Sequence, residues 1–496
     1  MALHSQLALS RRSASLIFHN IFLDSSKQPE RWSIVNHTRT FATDSFGTIS
    51  FQGGAHAHKA HYLRLSYDSA PEDIMYLFEK IWMLEPPRLI ITLHGGMSNF
   101  EIQEKLGKQF REGLLKAAQT TGAWIITSGV DSGVVKHVAM ALDEAGITAR
   151  MRSKIVTIGI APWGNLRRKE RLIGLDTSVS YDAQSFSSRQ GFSCLNDHHS
   201  YFLLADNGTS GRHGADLKLR MRFEEYLAEL NTGHQSRGIP IVCAVLEGGT
   251  NTITSIHRYL TTEPRVPVIV CDGSGRASDI IAFAARYVDN EGVFPIEVKA
   301  QLLSLIESVF PASPRPPEFV LSQIIECAIK TDLLSVFRYG EQEQRDEVDH
   351  AILTAILRRQ NIALADKLSF TLAWNRVDVA RACFNNSREH VPSTALYPAM
   401  IDALRLERVD FVECFLEHGV SMKKFLTFSR LEQLYNMDDK TSHSIRYLAT
   451  DNKQRKRITL PTIGEIIEKL MGGNYKSYYS SRHFKNKYTK SKEKIQ

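Results

Sequence analysis

Val266-Pro-Val-Ile-Val-Cys271 runs into Asp272-Gly273-Ser274-Gly275-Arg276-Ala277-Ser278-Asp279, and an amphipathic stretch follows to Tyr287. A continuous apolar, β-branched run ends in a glycine turn, and a helix follows. The run is apolar throughout rather than at alternate positions, as a strand covered on both faces of a parallel sheet requires. Working back along the chain, the same unit recurs between about Tyr62 and Asn290. Leu89–Leu93 enters His94-Gly95-Gly96, and Trp124–Thr127 enters Ser128-Gly129-Val130-Asp131-Ser132-Gly133. Lys154–Ile160 enters Ala161-Pro162-Trp163-Gly164, and Tyr201–Ala205 enters Asp206-Asn207-Gly208-Thr209-Ser210-Gly211. Ile241–Leu246 enters Glu247-Gly248-Gly249. Strands alternating with helices predict an α/β domain, a Rossmann-like doubly wound parallel sheet.

In such a sheet, ligands bind beyond the carboxyl ends of the strands, where loop amides and helix N-termini converge. Glycine lets backbone N–H groups approach an anion closely, and the helix dipole favours negative charge there. A small phosphate-bearing molecule is therefore the expected ligand, at turns that include Gly95, Gly96, Gly248, Gly249, Gly273, Ser274 and Gly275. Arg276, at a helix start beside two glycines, suits a bidentate phosphate contact. Asp279 is expected to cap that helix or hold a ribose hydroxyl. Arg220 and Arg222, on a helix beginning near Gly214, would add charge from a second side. Strand–helix turns need glycine with or without a ligand, so one turn alone carries little. No Walker pattern occurs and no G-x-G-x-x-G follows a strand, which excludes the standard P-loop and dinucleotide fingerprints.

Phe310–Phe319 holds four of the sixteen prolines and predicts a Pro-rich linker over 310–319. Residues 320–450 then change to helical periodicity. Arg376-Val-Asp-Val-Ala-Arg-Ala-Cys-Phe recurs as Arg408-Val-Asp-Phe-Val-Glu-Cys-Phe-Leu, 32 residues later. That period predicts an all-α, degenerate ankyrin-like repeat region of stacked helix pairs, the kind of array that binds proteins.

The 496 residues are 43% hydrophobic and 23% charged, an ordinary composition that excludes wholesale disorder. The net charge is +7, but residues 451–496 alone carry twelve Lys/Arg against four Asp/Glu, so the remainder is near neutral. A neutral folded bulk argues against a nucleic-acid-binding core. No apolar run approaches the roughly 18 residues of a spanning helix. Six scattered cysteines lack metal-ligand spacing and suit a reducing, cytosolic compartment. His56, His58 and His61 share a strand-like stretch, but no local carboxylate or cysteine completes a metal set, so no metal is expected. Residues 1–31, acid-free over the first 23, read as a disordered leader with a faint presequence character.

Trp32, His37-Thr38, Thr43-Asp-Ser-Phe-Gly-Thr-Ile49 and Phe51-Gln-Gly-Gly54 resemble the start of the N-terminal homology region of melastatin-type transient receptor potential (TRPM) cation channels. So do Thr92-Leu-His-Gly-Gly96, Thr120-Thr-Gly-Ala-Trp-Ile126, Gly129-Val-Asp-Ser-Gly133, His199-Ser-Tyr-Phe-Leu-Leu-Ala-Asp-Asn-Gly208 and Val245-Leu-Glu-Gly-Gly249. Arg408-Val-Asp-Phe-Val and Glu417-His-Gly-Val-Ser421 resemble its helical part, and the likeness covers roughly residues 32–490.

The resemblance implies a SLOG/LSDAT-type nucleotide-binding domain over 32–309. It implies other channel subunits as partners in a tetramer, and a place on the cytoplasmic face of the plasma membrane. An ADP-ribose-type nucleotide is the implied ligand, with Arg276, Gly273, Gly275 and an arginine at Arg220 or Arg222 at matching positions; no cofactor is required. Two departures stand out: the leader lacks a Cys-x-Cys-Gly element, and no pore follows. The chain is thus expected to be a fragment, an incomplete gene model or a short isoform, the last cytosolic if it exists alone. Residues 451–496 are then a basic tail of helices severed from their usual partners. The alternatives are a freestanding regulatory isoform and a nucleotide phosphoribohydrolase-like enzyme. For the enzyme, Glu247-Gly-Gly-Thr-Asn-Thr252 departs from the Pro-Gly-Gly-x-Gly-Thr loop, and no glutamate follows at short range.

Overall fold

The apolar runs become strands in the computed structural model. It describes residues 32–38, 43–52, 59–144, 155–182, 192–211, 214–230, 238–288, 294–338, 348–358, 363–386, 392–436 and 458–493. The strands are β1 (Ser45–Gln52), β2 (Ala60–Ser66), β3 (Ile90–Gly95), β4 (Trp124–Thr127), β5 (Val156–Pro162), β6 (Gly174–Asp182), β7 (Tyr201–Asp206), β8 (Ile241–Leu246), β9 (Val268–Cys271) and β10 (Leu334–Phe337). They form one sheet in the order β10-β9-β8-β3-β4-β5-β7-β2-β1-β6. Neighbours are parallel except β1 with β2.

Ile90, Ile126, Cys243, Val245, Val268 and Val270 enter one core layer. Ile91, Leu93, Ile125, Val242, Ala244 and Ile269 alternate with them and are equally buried. Both faces are therefore covered, which is why the runs carry no polar alternation.

The longer helices described in this unit are α1 (Pro71–Tyr76), α2 (Glu104–Thr121), α3 (Val134–Glu144), α4 (Ala215–Glu229), α5 (Thr250–Thr261), α6 (Arg276–Arg286), α7 (Ile296–Val309), α8 (Pro317–Ile329) and α9 (Val348–Arg358). Two compact units divide the chain, Met1–Ile362 and Ala363–Gln496. The first therefore runs past the Pro-rich 310–319 stretch where the sequence placed a boundary. Pro316 and Pro317 instead start α8, whose missing N–H is harmless in the first helical turn. Ile324 and Cys327 of α8 join the sheet's core, and Leu334–Phe337, expected to be helical, adds β10 beside β9.

In the second unit, α10 (Leu364–Ala373) and α11 (Val377–Asn386) form one helix pair, and α12 (Tyr397–Arg405) and α13 (Val409–Glu417) the next. The repeat is visible in the backbone. Asn375 and Glu407, 32 positions apart, both adopt φ +55. Arg376 N donates to Thr371 O and Arg408 N to Ala403 O, each at 2.9 Å. Leu368, Leu372, Met400, Phe411 and Phe415 make a common core.

The basic tail forms α15 (Leu460–Met471) and α16 (Arg482–Glu493), which pack on α14 (Phe428–Tyr435). Phe484 and Tyr488 turn inward while Lys485, Lys487 and Lys490 are exposed. Buried Glu432 accepts from Leu460 N (3.3 Å) and from the Tyr488 hydroxyl. Over Arg482–Glu493, aromatic residues and lysines thus alternate as the two faces of an amphipathic helix, with Phe428, Leu431 and Tyr435 of α14 against the apolar face. Lys453–Arg457 lie outside the described residues, as do residues 1–31, His56 and His58.

Candidate functional site

From β3 the chain adds β4, β5 and β7 on one side, then returns to place β8 and β9 on the other. The direction reverses between β3 and β8, which is where a crevice opens in a doubly wound sheet. Gly95-Gly96 leaves β3, Glu247-Gly248-Gly249 leaves β8, and Asp272–Gly275 leaves β9.

The glycines divide by what surrounds them. A Cβ on Gly95 would lie 2.3 Å from Leu246 O, and one on Gly133 (φ +56) 1.7 Å from Gly96 O. Gly96 O in turn accepts from Val134 N at 3.0 Å. One on Gly164 would lie 1.9 Å from Thr209 O. Backbone packed on backbone explains these glycines without a ligand. The β8 and β9 turns differ: the nearest atom to a Cβ on Gly249 is Arg276 Nη2, at 3.9 Å. Gly273 and Gly275, at φ +88 and +105, would meet only ordinary contacts with Leu106 and Glu247. Gly248 does not share that room, since a Cβ on it would lie 2.8 Å from Thr252 Cγ2, whereas Gly208 and Gly211 of the Asp206–Gly211 turn have nothing within 4 Å.

Arg276 opens α6 with φ +47, and its side chain is 43% exposed. Its Nη1 lies 3.7 Å from Glu247 Oε1, and its guanidinium sits 5.3 Å from the Phe310 ring centroid. Glu247 is nearly buried with φ +57, and its Oε2 accepts from Gly248 N at 3.3 Å. Ser274 Oγ accepts from Glu247 N (2.9 Å) and donates to Cys271 O (2.6 Å), tying the two turns together. Asp279 Oδ1 accepts from Gly273 N (2.8 Å) and Gly275 N (3.0 Å), so it clasps the turn that precedes α6, and α6 itself has no side-chain cap. Ala277 N and Ser278 N donate to Gly248 O and Glu247 O, so the end of β8 already satisfies the first turn of α6. Phe310 and Glu247 were missed as site residues. In the sequence Phe310 lies at the edge of the Pro-rich stretch, and Glu247 stands out only as a departure from an enzyme loop.

Arg220 is a correction. It is buried under the last residues of β3 and β4 and fully engaged there, rather than exposed to a ligand. Its Nε donates to Glu224 Oε1 (3.0 Å), and its Nη2 to Leu93 O (2.8 Å), Ile126 O (3.1 Å) and Thr92 Oγ1. The acid follows the guanidinium by helical spacing here, i to i+4, because both groups must be neutralised together inside the core. Tyr259 donates to Glu224 Oε2, so the 2.9 Å contact between Tyr259 OH and His94 Nε2 has the imidazole as donor. Burial, with Arg220 nearby, holds His94 well below the usual imidazole range and hence neutral. Arg222, half-buried two positions on, faces away from Arg220, and α4 packs over β5 and β7 while Arg276 leaves β9.

A second polar cluster closes the ends of β4 and β5. His199 bonds Thr127 Oγ1 (2.7 Å) and Asn196 Oδ1 (3.0 Å), and burial pushes its pKa down to about 3. His198 is flanked by Asp143 (2.9 Å) and Asp197 (2.7 Å). Burial pulls its pKa down, but those carboxylates more than reverse this. Among the described residues no group of three or more His, Cys, Asp or Glu could hold a metal. No helix among them is long and apolar enough to cross a membrane.

The family model described as SLOG in TRPM matches residues 60–327, and one described as a TRPM2-like domain matches 383–496. A Caenorhabditis elegans protein named transient receptor potential channel is 48% identical over 498 residues. The Drosophila melanogaster transient receptor potential cation channel trpm is 43% identical over 479. Human transient receptor potential cation channel subfamily M member 7 is 40% identical over 463. These alignments take in 100%, 94% and 92% of this chain but only 24%, 23% and 25% of the respective relatives. The chain therefore spans about a quarter of the length of these curated relatives.

Proposed function

The chain belongs to the TRPM family, carrying its SLOG domain, and from that premise we propose that it is the cytosolic ligand-sensing and assembly region of a TRPM-like calcium-permeable, non-selective cation channel. In this reading it works on the cytoplasmic face of the plasma membrane as part of a tetramer, without catalysing a reaction. The helix pairs of the second unit would engage neighbouring channel subunits, as stacked repeats do. The edge formed by the β8 and β9 turns would take a phosphate-bearing nucleotide of the ADP-ribose type.

One observation carries the ligand assignment: beside the strand-order reversal an exposed guanidinium, Arg276, adjoins Gly249, Gly273 and Gly275, where the backbone leaves room. Arg276 would hold phosphate as a fork, and Phe310 beneath it would keep the fork oriented. A nucleotide that binds one arrangement of this edge better than another would bias gating by that difference in affinity.

Calorimetric titration of ADP-ribose into the purified chain tests this. Saturable heat that is lost in Arg276→Ala is expected. An Arg276→Ala protein that binds as well as the wild type would overturn the assignment.

A further inference from the structure

The receptor groups of the β8 and β9 turns each hold one of the chain's own carboxylates. Asp279 Oδ1 takes the Gly273 and Gly275 amides at 2.8 and 3.0 Å. Glu247 takes the Gly248 amide at 3.3 Å and faces Arg276 Nη1 at 3.7 Å. A carboxylate oxygen and a phosphate oxygen ask for the same donors, namely backbone N–H groups and a guanidinium. The place Glu247 fills is tight: a Cβ on Gly96 would come 1.6 Å from its Oε2. Its backbone is also in the left-handed region at φ +57, followed by Gly248 at +99. A non-glycine residue is strained there, and the glycine after it can change conformation at little cost.

The geometry points to Glu247 as a built-in competitor: its carboxylate occupies the phosphate seat and pairs with Arg276, so an anionic ligand must displace it. This rests on the nucleotide reading above and adds its regulation. The displaced Glu247 would leave Gly96 and re-aim the β8–α5 turn, giving the edge two arrangements. Phosphate and carboxylate cannot share the seat, because two like charges at about 4 Å repel appreciably even under surface screening. Asp279 differs in having both donors in its own turn, so it holds the loop rather than blocking Arg276.

The test is titration of ADP-ribose and, separately, inorganic pyrophosphate into wild type, Glu247→Gln, Glu247→Gly and Arg276→Ala, with thermal melts confirming that each is folded. Glu247→Gln keeps the volume and removes the charge, whereas Glu247→Gly relieves the backbone strain and guards against a variant that fails to fold. Both should bind at least about tenfold tighter than wild type, with Arg276→Ala weakest. If wild type binds and Arg276→Ala does not, but both Glu247 variants bind no tighter, the competitor is refuted and the nucleotide site survives. If neither wild type nor any Glu247 variant binds either probe, the nucleotide site itself is refuted. Binding by the Glu247 variants where wild type is silent supports both.

Discussion

Arg220 offers the sharpest test, because sequence and structure assign it different work. Arg220→Met keeps much of the aliphatic stem and removes the guanidinium. In the fold this leaves Glu224, 2% exposed, with only Thr92 and Tyr259 as donors, and strips Leu93 O and Ile126 O of their bonds to Arg220. Breaking one side of a buried ion pair costs about 3–5 kcal/mol. A carbonyl left without any donor would add about 1–3 kcal/mol, which applies less to Ile126 O, since the β3–β4 ladder also supplies it. These losses overlap, so about 4 kcal/mol is a fair centre. With a urea slope near 3 kcal/mol per M, the midpoint should fall by about 1.3 M. Equilibrium urea unfolding followed by tryptophan fluorescence reports this, since Trp124 lies within the same core. Arg220→Met/Glu224→Leu should recover much of the loss, because replacing both partners removes the stranded charge. An unshifted midpoint together with abolished nucleotide binding would refute the structural role and restore Arg220 to the ligand edge.

Two further outcomes follow from the loop geometry and the histidine pair. Gly133→Ala must push against Gly96 O at 1.7 Å while holding φ +56, so it should destabilise the sheet unit by about 2 kcal/mol or more, read as a lowered urea midpoint. His199 has a folded pKa of about 3, below its ordinary value, so its contribution is complete above about pH 6.5 and falls as pH drops toward 3. Between pH 6 and 4, His199→Gln should therefore lose about 2 kcal/mol less stability than the wild type, and an identical pH slope for the two proteins would contradict the buried-neutral assignment. His198 acts with the opposite sign: its raised pKa gives stability that is present below its unfolded value and lost as pH rises through the folded one.

Much of the architecture was legible because it follows from local patterning. Trp124–Thr127 and Ile241–Leu246 are strands with the bounds their apolar runs suggested, and Asn375 and Glu407 repeat the same turn at the spacing of the two Arg-Val-Asp copies. The boundary at 310–319 failed because proline marks both linkers and helix starts, and only the packing of α8 and β10 on the sheet separates the two. The packing of the tail was not legible for a related reason. Phe484 and Tyr488 alternate with lysines in any amphipathic helix, and what they pack against lies more than fifty positions upstream, at Phe428 and Leu431.

By itself, the sequence determined the parallel sheet, the helix pairs and the family, since periodicity and motif spacing are properties of neighbours along the chain. It also brought Gly273, Gly275 and Arg276 to one turn, because they are consecutive with a strand end. Only the tertiary structure decided which glycines are needed for packing and which leave room, that Arg220 is a core residue, and that Glu247 stands against Arg276. Those facts depend on what lies across a gap of a few ångströms from residues distant in the chain: Gly133 against Gly96, Arg220 against Leu93, Glu247 against Arg276. Charge and size can be read from a residue's letter, but whether a buried charge is paired depends on the partner that folding brings to it.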